Sequence, residues 1–187
     1  CIQEMVEGGM WNIANEVGDA KIKDPWEKYT SGDKEGGLYA VESWYSWHSR
    51  DDYTNNIFSI RNTYYGRIDD NDVDKVDGNL NAFASYADFD DAGDIAEKSL
   101  SRLIASVNTE LDEKIKTLIF ESAKAIQAIP QPFRNSIDSK ESVAAMDKCM
   151  ELASALKNEL LPFVTNELSD SKYDAQLDAV AEQFVDA

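Results

Sequence analysis

The stretch LDEKIKTLIFESAKAIQAI, residues 111–129, followed by Pro130 and Pro132, decides the fold class. Leu111, Ile115, Leu118, Ile119, Ser122, Ile126 and Ile129 return at steps of three and four, the period of one helix face. The two prolines close the run, because proline brings no backbone N–H and its ring clashes with the preceding turn.

The same reading extends outward. Ile95, Leu100, Leu103, Ile104 and Val107 mark a helix just upstream. Ser139 begins one downstream, with Val143, Met146, Cys149, Leu152, Leu156 and Leu160 inward and an end expected near Pro162. Tyr173, Leu177, Val180 and Phe184 suggest a short final helix. Further upstream, Ser49 is the expected N-cap of a helix with Asp51 and Asp52 in its first turn, where negative charge suits the helix dipole. Tyr53, Ile57, Ile60 and Tyr64 form its apolar face, and Gly66 is its expected stop. Ile2, Val6, Met10, Ile13 and Val17 form the first helix, expected to end at Gly18 and Asp19. The polar stretch that follows, through Asp24-Pro25 to Gly36-Gly37, reads as a loop.

Residues 38–47 hold two tyrosines and two tryptophans, and residues 69–78 form an acidic loop. That loop is not a calcium-binding hand: with Gly78 as the turn glycine, Val73 and Lys75 take ligand positions and Ala84 stands where a bidentate Glu belongs. Period-two β-branched runs and hairpin turns are absent. The expectation is all-α: one helical domain over residues 1–187, an antiparallel bundle with a long aromatic-rich insertion.

Composition narrows the function. The 187 residues include 18 basic and 36 acidic side chains, a net charge of −18, with pI about 4.3. Such a surface repels nucleic acid and attracts cations. No run approaches the roughly 20 apolar residues of a membrane helix. Cys1 and Cys149 are too few for a disulfide scaffold; a buried thiol suits Cys149, and a bridge between the two stays open.

The only histidine, His48, rules out multi-histidine metal centres. His48 and Asp51 have His-x-x-Asp spacing, which makes them metal-ligand candidates against the plainer reading of an exposed ring. No nucleophile elbow occurs, so the chain carries no complete catalytic site. The denser constellation runs through Glu42, Ser43, Ser46, Arg50, Asp51, Asp52, Asn55, Asn56, Arg61 and Asn62. Asparagines are modest helix formers, so they serve either a buried hydrogen-bond network or a polar site. The aromatic residues Trp44, Tyr45, Trp47, Tyr53, Tyr64 and Tyr65 either stack on a sugar or form a core or interface.

Three runs carry a family likeness: Asn12-Ile13-Ala14-Asn15-Glu16-Val17-Gly18 with Lys21-Ile22 and Asp24-Pro25, then Glu42-Ser43-Trp44-Tyr45-Ser46, then Asp52-Tyr53-Thr54-Asn55-Asn56-Ile57 with Tyr64-Tyr65-Gly66. With Leu111-Asp112 and Ala128-Ile129-Pro130-Gln131-Pro132-Phe133 they resemble the imelysin-like proteins, the family of insulin-cleaving membrane proteases and iron-regulated envelope proteins. The resemblance implies a helical protein of two bundle-like halves in the bacterial periplasm or on the outer membrane, often a lipoprotein. It also implies an association with iron uptake and a classification among peptidases. The family's Gly-x-His-x-x-Glu motif belongs to the upstream half and is not in this sequence; His48-Ser49-Arg50-Asp51 does not replace it. By resemblance the chain is a C-terminal half, its partners are the upstream half and a metal ion or small ligand, and iron or another cation is the implied ligand. Glu42, Ser43, Asn56, Arg61 and Tyr65 are the candidate ligand-binding residues facing that half.

Overall fold

The computed structural model describes residues 2–43, 45–66 and 95–168, and among these every regular element is a helix. The acidic loop at 69–78, the final helix expected at 173–184, Trp44 and Cys1 lie outside the described residues.

Helix α1 runs over residues 2–30. It is α-helical at Ile2–Glu4, Asn12–Asn15 and Asp24–Thr30, and π-helical at Met5–Trp11 and Glu16–Lys23. It therefore does not stop at Gly18, and the stretch from Asp24 is not a loop. Gly18 is where α1 meets another helix: a Cβ there would lie 2.8 Å from Met150 Sδ and 3.1 Å from Cys149 Cβ. Pro25 is tolerated because it lies in the first turn after the π stretch Glu16–Lys23. A widened turn moves the carbonyl that a proline ring would strike. A short helix, α2 (Lys34–Ala40), is capped by Asp33, whose carboxylate accepts from Gly36 N at 2.9 Å.

Helix α3 spans Ser49–Tyr65 and ends, as expected, on left-handed Gly66. Its cap position is His48 rather than Ser49, and the Ser49 hydroxyl donates to the Glu42 carbonyl instead. Helix α4 (Leu100–Val107) is capped by Ser99 and α5 (Thr109–Gln127) by Asn108. Val107, which helps mark this helix in the sequence, is 58% exposed, because α4 ends there and its apolar face closes with Ile104. Ser139 caps the last helix among the described residues, α6, which covers 140–167 as Lys140–Ala155, the π stretch Leu156–Leu160 and Leu161–Glu167. Pro162 does not end it. Like Pro25 it follows a π stretch.

Contacts between helices fix their directions. Thr54 and Tyr64 of α3 meet Gln127 and Asp112 of α5, so those helices run antiparallel. Lys148–Glu121 and Lys114–Glu159 set α6 antiparallel to α5. Glu7–Lys157 and the Gly18–Met150 contact do the same for α1 and α6. The result is an antiparallel bundle of α1, α3, α5 and α6, with α4 against α3 and α5. Val6, Met10, Ile57, Ile60, Ile115, Ile119, Leu152 and Leu156 fill its centre. Each buried aliphatic side chain contributes about 1.5–3 kcal/mol.

Candidate functional site

Between α2 and α3 the backbone is strained at two described residues. Ser43 and Trp47 have φ of 55° and 63°, conformations that side-chain-bearing residues adopt at a cost of order 1–3 kcal/mol. A tight turn accounts for this, since Trp47 N donates to the Ser43 carbonyl at 3.0 Å and Ser46 Oγ to the same carbonyl at 3.1 Å. The turn leaves Tyr45 92% and Trp47 54% exposed, with Arg134 stacked over Trp47 at 4.8 Å.

Two of the residues named from sequence meet here. The Ser43 hydroxyl donates to the Asp52 carboxylate on the first turn of α3. The neighbouring Glu42 carboxylate lies 3.2 Å from Lys21 Nζ on α1, which also meets Glu16 at 3.3 Å. Lys21 sits 5.9 Å above the Tyr53 ring, and the Tyr53 phenol lies beside Ser49 and the Glu42 backbone. Burial first, and the Glu42 charge second, push that phenol above its usual range, so it stays protonated.

Asn56 lies one turn beyond Asp52, about 6 Å along α3 and on the same side. Together with Asn55, Ser59, Asn62 and Thr63 it forms the part of α3 beyond Asp52 that is not buried. Asn55 Oδ1 is itself buried and has no hydrogen-bond partner among the described residues. Arg61 and Tyr65 are placed elsewhere. They lie nine and thirteen residues beyond Asp52, about 13 and 20 Å along the axis. Both are fully buried, the Arg61 guanidinium 4.7 Å from the Tyr65 ring centre. That end holds a polar cluster that sequence reading missed: Asp112 accepts from Tyr64 at 2.9 Å and Ser101 at 2.7 Å and pairs with Lys116 at 3.3 Å. The i, i+4 spacing of Asp112 and Lys116 was its only sequence signal.

His48 and Asp51 do come together, Nδ1 to Oδ2 at 3.2 Å, with the imidazole largely in solvent. Arg50, beside them, donates to the carbonyls of Gln127 and Ile129 and so closes the C-terminus of α5. Among the described residues no three His, Cys, Asp or Glu side chains converge as a metal-binding group. Carboxylate and amide oxygens such as those around the turn are the donor types that hard cations take. Among the described residues, too, no helix is long and apolar enough to cross a membrane.

Tyr53, Tyr64 and Tyr65 belong to the core, while Tyr45 and Trp47 face out. Cys149 is a buried free thiol whose pKa burial pushes up to about 12.

The family model described as Imelysin, peptidase M75, matches residues 2–160. The chain is similar to an imelysin peptidase from Bacteroides ovatus, at 51% identity with a TM-score of 0.77, covering 100% of this chain and 46% of that one. It is similar also to an iron-regulated protein A precursor from Parabacteroides distasonis, at 36% identity with a TM-score of 0.67, covering 83% of this chain and 39% of that one. The chain thus spans less than half the length of either structure. Comparison with curated proteins finds no match. With the family model covering most of its length, the chain belongs to the Imelysin family.

Proposed function

We propose that this chain is the C-terminal half of an imelysin-type protein of the bacterial envelope, periplasmic or anchored at the outer membrane, which binds a hard cation for uptake, iron foremost. The site lies at the Glu42–Ser43 turn and is completed by an upstream half. The observation that carries this reading is the Ser43–Asp52 hydrogen bond at a strained turn, with Glu42 on the same turn and Asn56 one helical turn beyond Asp52. Strain of this kind is retained where a site needs a set geometry. A partial donor set fits a site whose remaining ligands come from elsewhere. The likeness to an iron-regulated protein supports iron as the cation.

The test is titration of iron(III) into the protein that includes both halves. Stoichiometric binding that Glu42→Ala abolishes supports the reading, and a full-length protein that takes up no metal removes it.

A second reading, metallopeptidase activity, rests on the likeness to an imelysin peptidase. The upstream half then supplies the metal-binding motif and this bundle a wall of the substrate cleft. Chelator-sensitive cleavage of casein by the full-length protein is its signature; intact casein across a range of metals counts against it.

A further inference from the structure

Among the described residues the exposed large hydrophobic side chains are Tyr39, Tyr45, Trp47 and Val107, and three of these four fall within residues 39–47. Tyr45 and Trp47 stand two residues apart on a turn closed by Trp47 N donating to the Ser43 carbonyl. The Arg134 guanidinium, 4.8 Å from the Trp47 ring centre, adds a cation to the same patch. Tyrosine, tryptophan and arginine are the side chains in which protein interfaces are enriched and which dominate their binding energy. The flanking acids are already answered within the chain, Glu42 by Lys21 at 3.2 Å and Asp51 by Arg50 at 3.7 Å. A partner can therefore exclude water from the two rings without stranding a carboxylate.

Area selects among partners. At 92% and 54% exposure, Tyr45 and Trp47 offer roughly 300 Å² between them, on the scale of whole aromatic side chains. That falls short of the roughly 800 Å² per partner found in stable complexes of separate chains. A partner on the same chain needs less, because tethering holds it at an effective concentration of order millimolar. More than half of each solved structure that this chain is similar to lies outside the part the chain covers.

We propose that the Tyr45–Trp47 turn, with Arg134, is the surface on which the upstream half of the same protein docks, the two rings serving as its anchors. This rests on the reading of the chain as a C-terminal half and deepens it by naming the contact through which the halves meet. It requires no metal.

The experiment is photo-cross-linking of the protein that includes both halves, purified without added metal and carrying Tyr45→p-benzoylphenylalanine. A side chain 92% exposed contributes little to the packing of the bundle, so the fold should survive the replacement. The same probe at Val107, 58% exposed at the end of α4, is the control. Irradiation should join position 45 to a peptide of the upstream half within a single chain, a product absent with the probe at position 107. Hydrogen exchange gives a second reading without the probe. Tyr45→Ser should speed exchange of that upstream peptide by about fivefold, the scale of one interface anchor removed, and leave α5 and α6 unchanged. A cross-link between two copies, seen as a doubled mass, overturns the docking role and assigns the turn to self-association. Equal cross-linking from position 107 also overturns it, as does no cross-link with unchanged exchange, which leaves the turn to a ligand from outside the protein. Metal titration of the same protein reads the cation site separately, so either result stands when the other fails.

Discussion

Tyr64 donates its phenolic hydroxyl to Asp112 at 2.9 Å across the α3–α5 interface, and the receiving carboxylate is only 2% exposed. A buried charge is tolerated when its partners are complete, and here Ser101 and Lys116 supply the others. The cluster pins α3, α4 and α5 at the bundle end opposite the Glu42 turn. Asp112→Ala should cost about 3 kcal/mol, and Tyr64→Phe about 1.5 kcal/mol, in urea unfolding. Loss of less than about 0.5 kcal/mol for Asp112→Ala would show that the network contributes little.

Gly37 has no room for a side chain. A Cβ there would lie 2.8 Å from the Pro25 carbonyl oxygen and 2.8 Å from Tyr29 N, both backbone atoms that cannot step aside. Gly37→Ala should therefore destabilise by about 1–3 kcal/mol despite alanine's better helix propensity. At Gly18 the nearest atom is the flexible end of Met150, so Gly18→Ala should cost less than Gly37→Ala. Thermal melts of the two variants side by side check the order, and the reverse order contradicts the packing.

Cys149 should be chemically silent in the folded protein. Its thiol pKa is raised from 9.0 to about 12 by burial. Ellman's reagent at pH 8 should react with it only on unfolding. Because the folded pKa lies above the unfolded one, its contribution to stability is complete below pH 9 and is lost as pH rises toward about 12. Cys149→Ala should flatten that alkaline fall; an unchanged slope would assign it to other groups.

The exposed turn offers a separate optical test. Trp47 is 54% exposed and stacked with Arg134, so Arg134→Ala should shift its emission to longer wavelength and increase quenching by acrylamide. If polysaccharide quenches Trp47 emission, the aromatic turn is a sugar platform; an unaltered spectrum assigns it to contact with the rest of the protein.

The helices α3, α5 and most of α6 were legible in the sequence because each couples a continuous apolar stripe to a side-chain or glycine terminator. Pro130, Ser139 and Gly66 act as such local signals. Gly18, Pro25, Gly37 and Pro162 were read as breaks because local rules treat them so. Their actual roles depend on partners distant in sequence, Met150 for Gly18, or on a preceding π stretch, as for Pro25 and Pro162. The site was legible in the same proportion. Glu42, Ser43 and Asp52 stand close enough in sequence to be grouped; Ser43 and Asp52 meet, while the Glu42 carboxylate pairs with Lys21. Arg61 and Tyr65 share α3 with them but lie buried toward its other end, a separation that only the helical rise reveals. Lys21 was hidden by the expectation that α1 ends at Gly18, which put it in a loop rather than beside Glu42.

The most direct test of the account is metal content by mass spectrometry, on this chain and on the protein that includes its upstream half, after exposure to iron. Metal retained by the longer form alone, and lost from it on Glu42→Ala, is the predicted result. Metal retained by neither form would contradict a cation site at this turn.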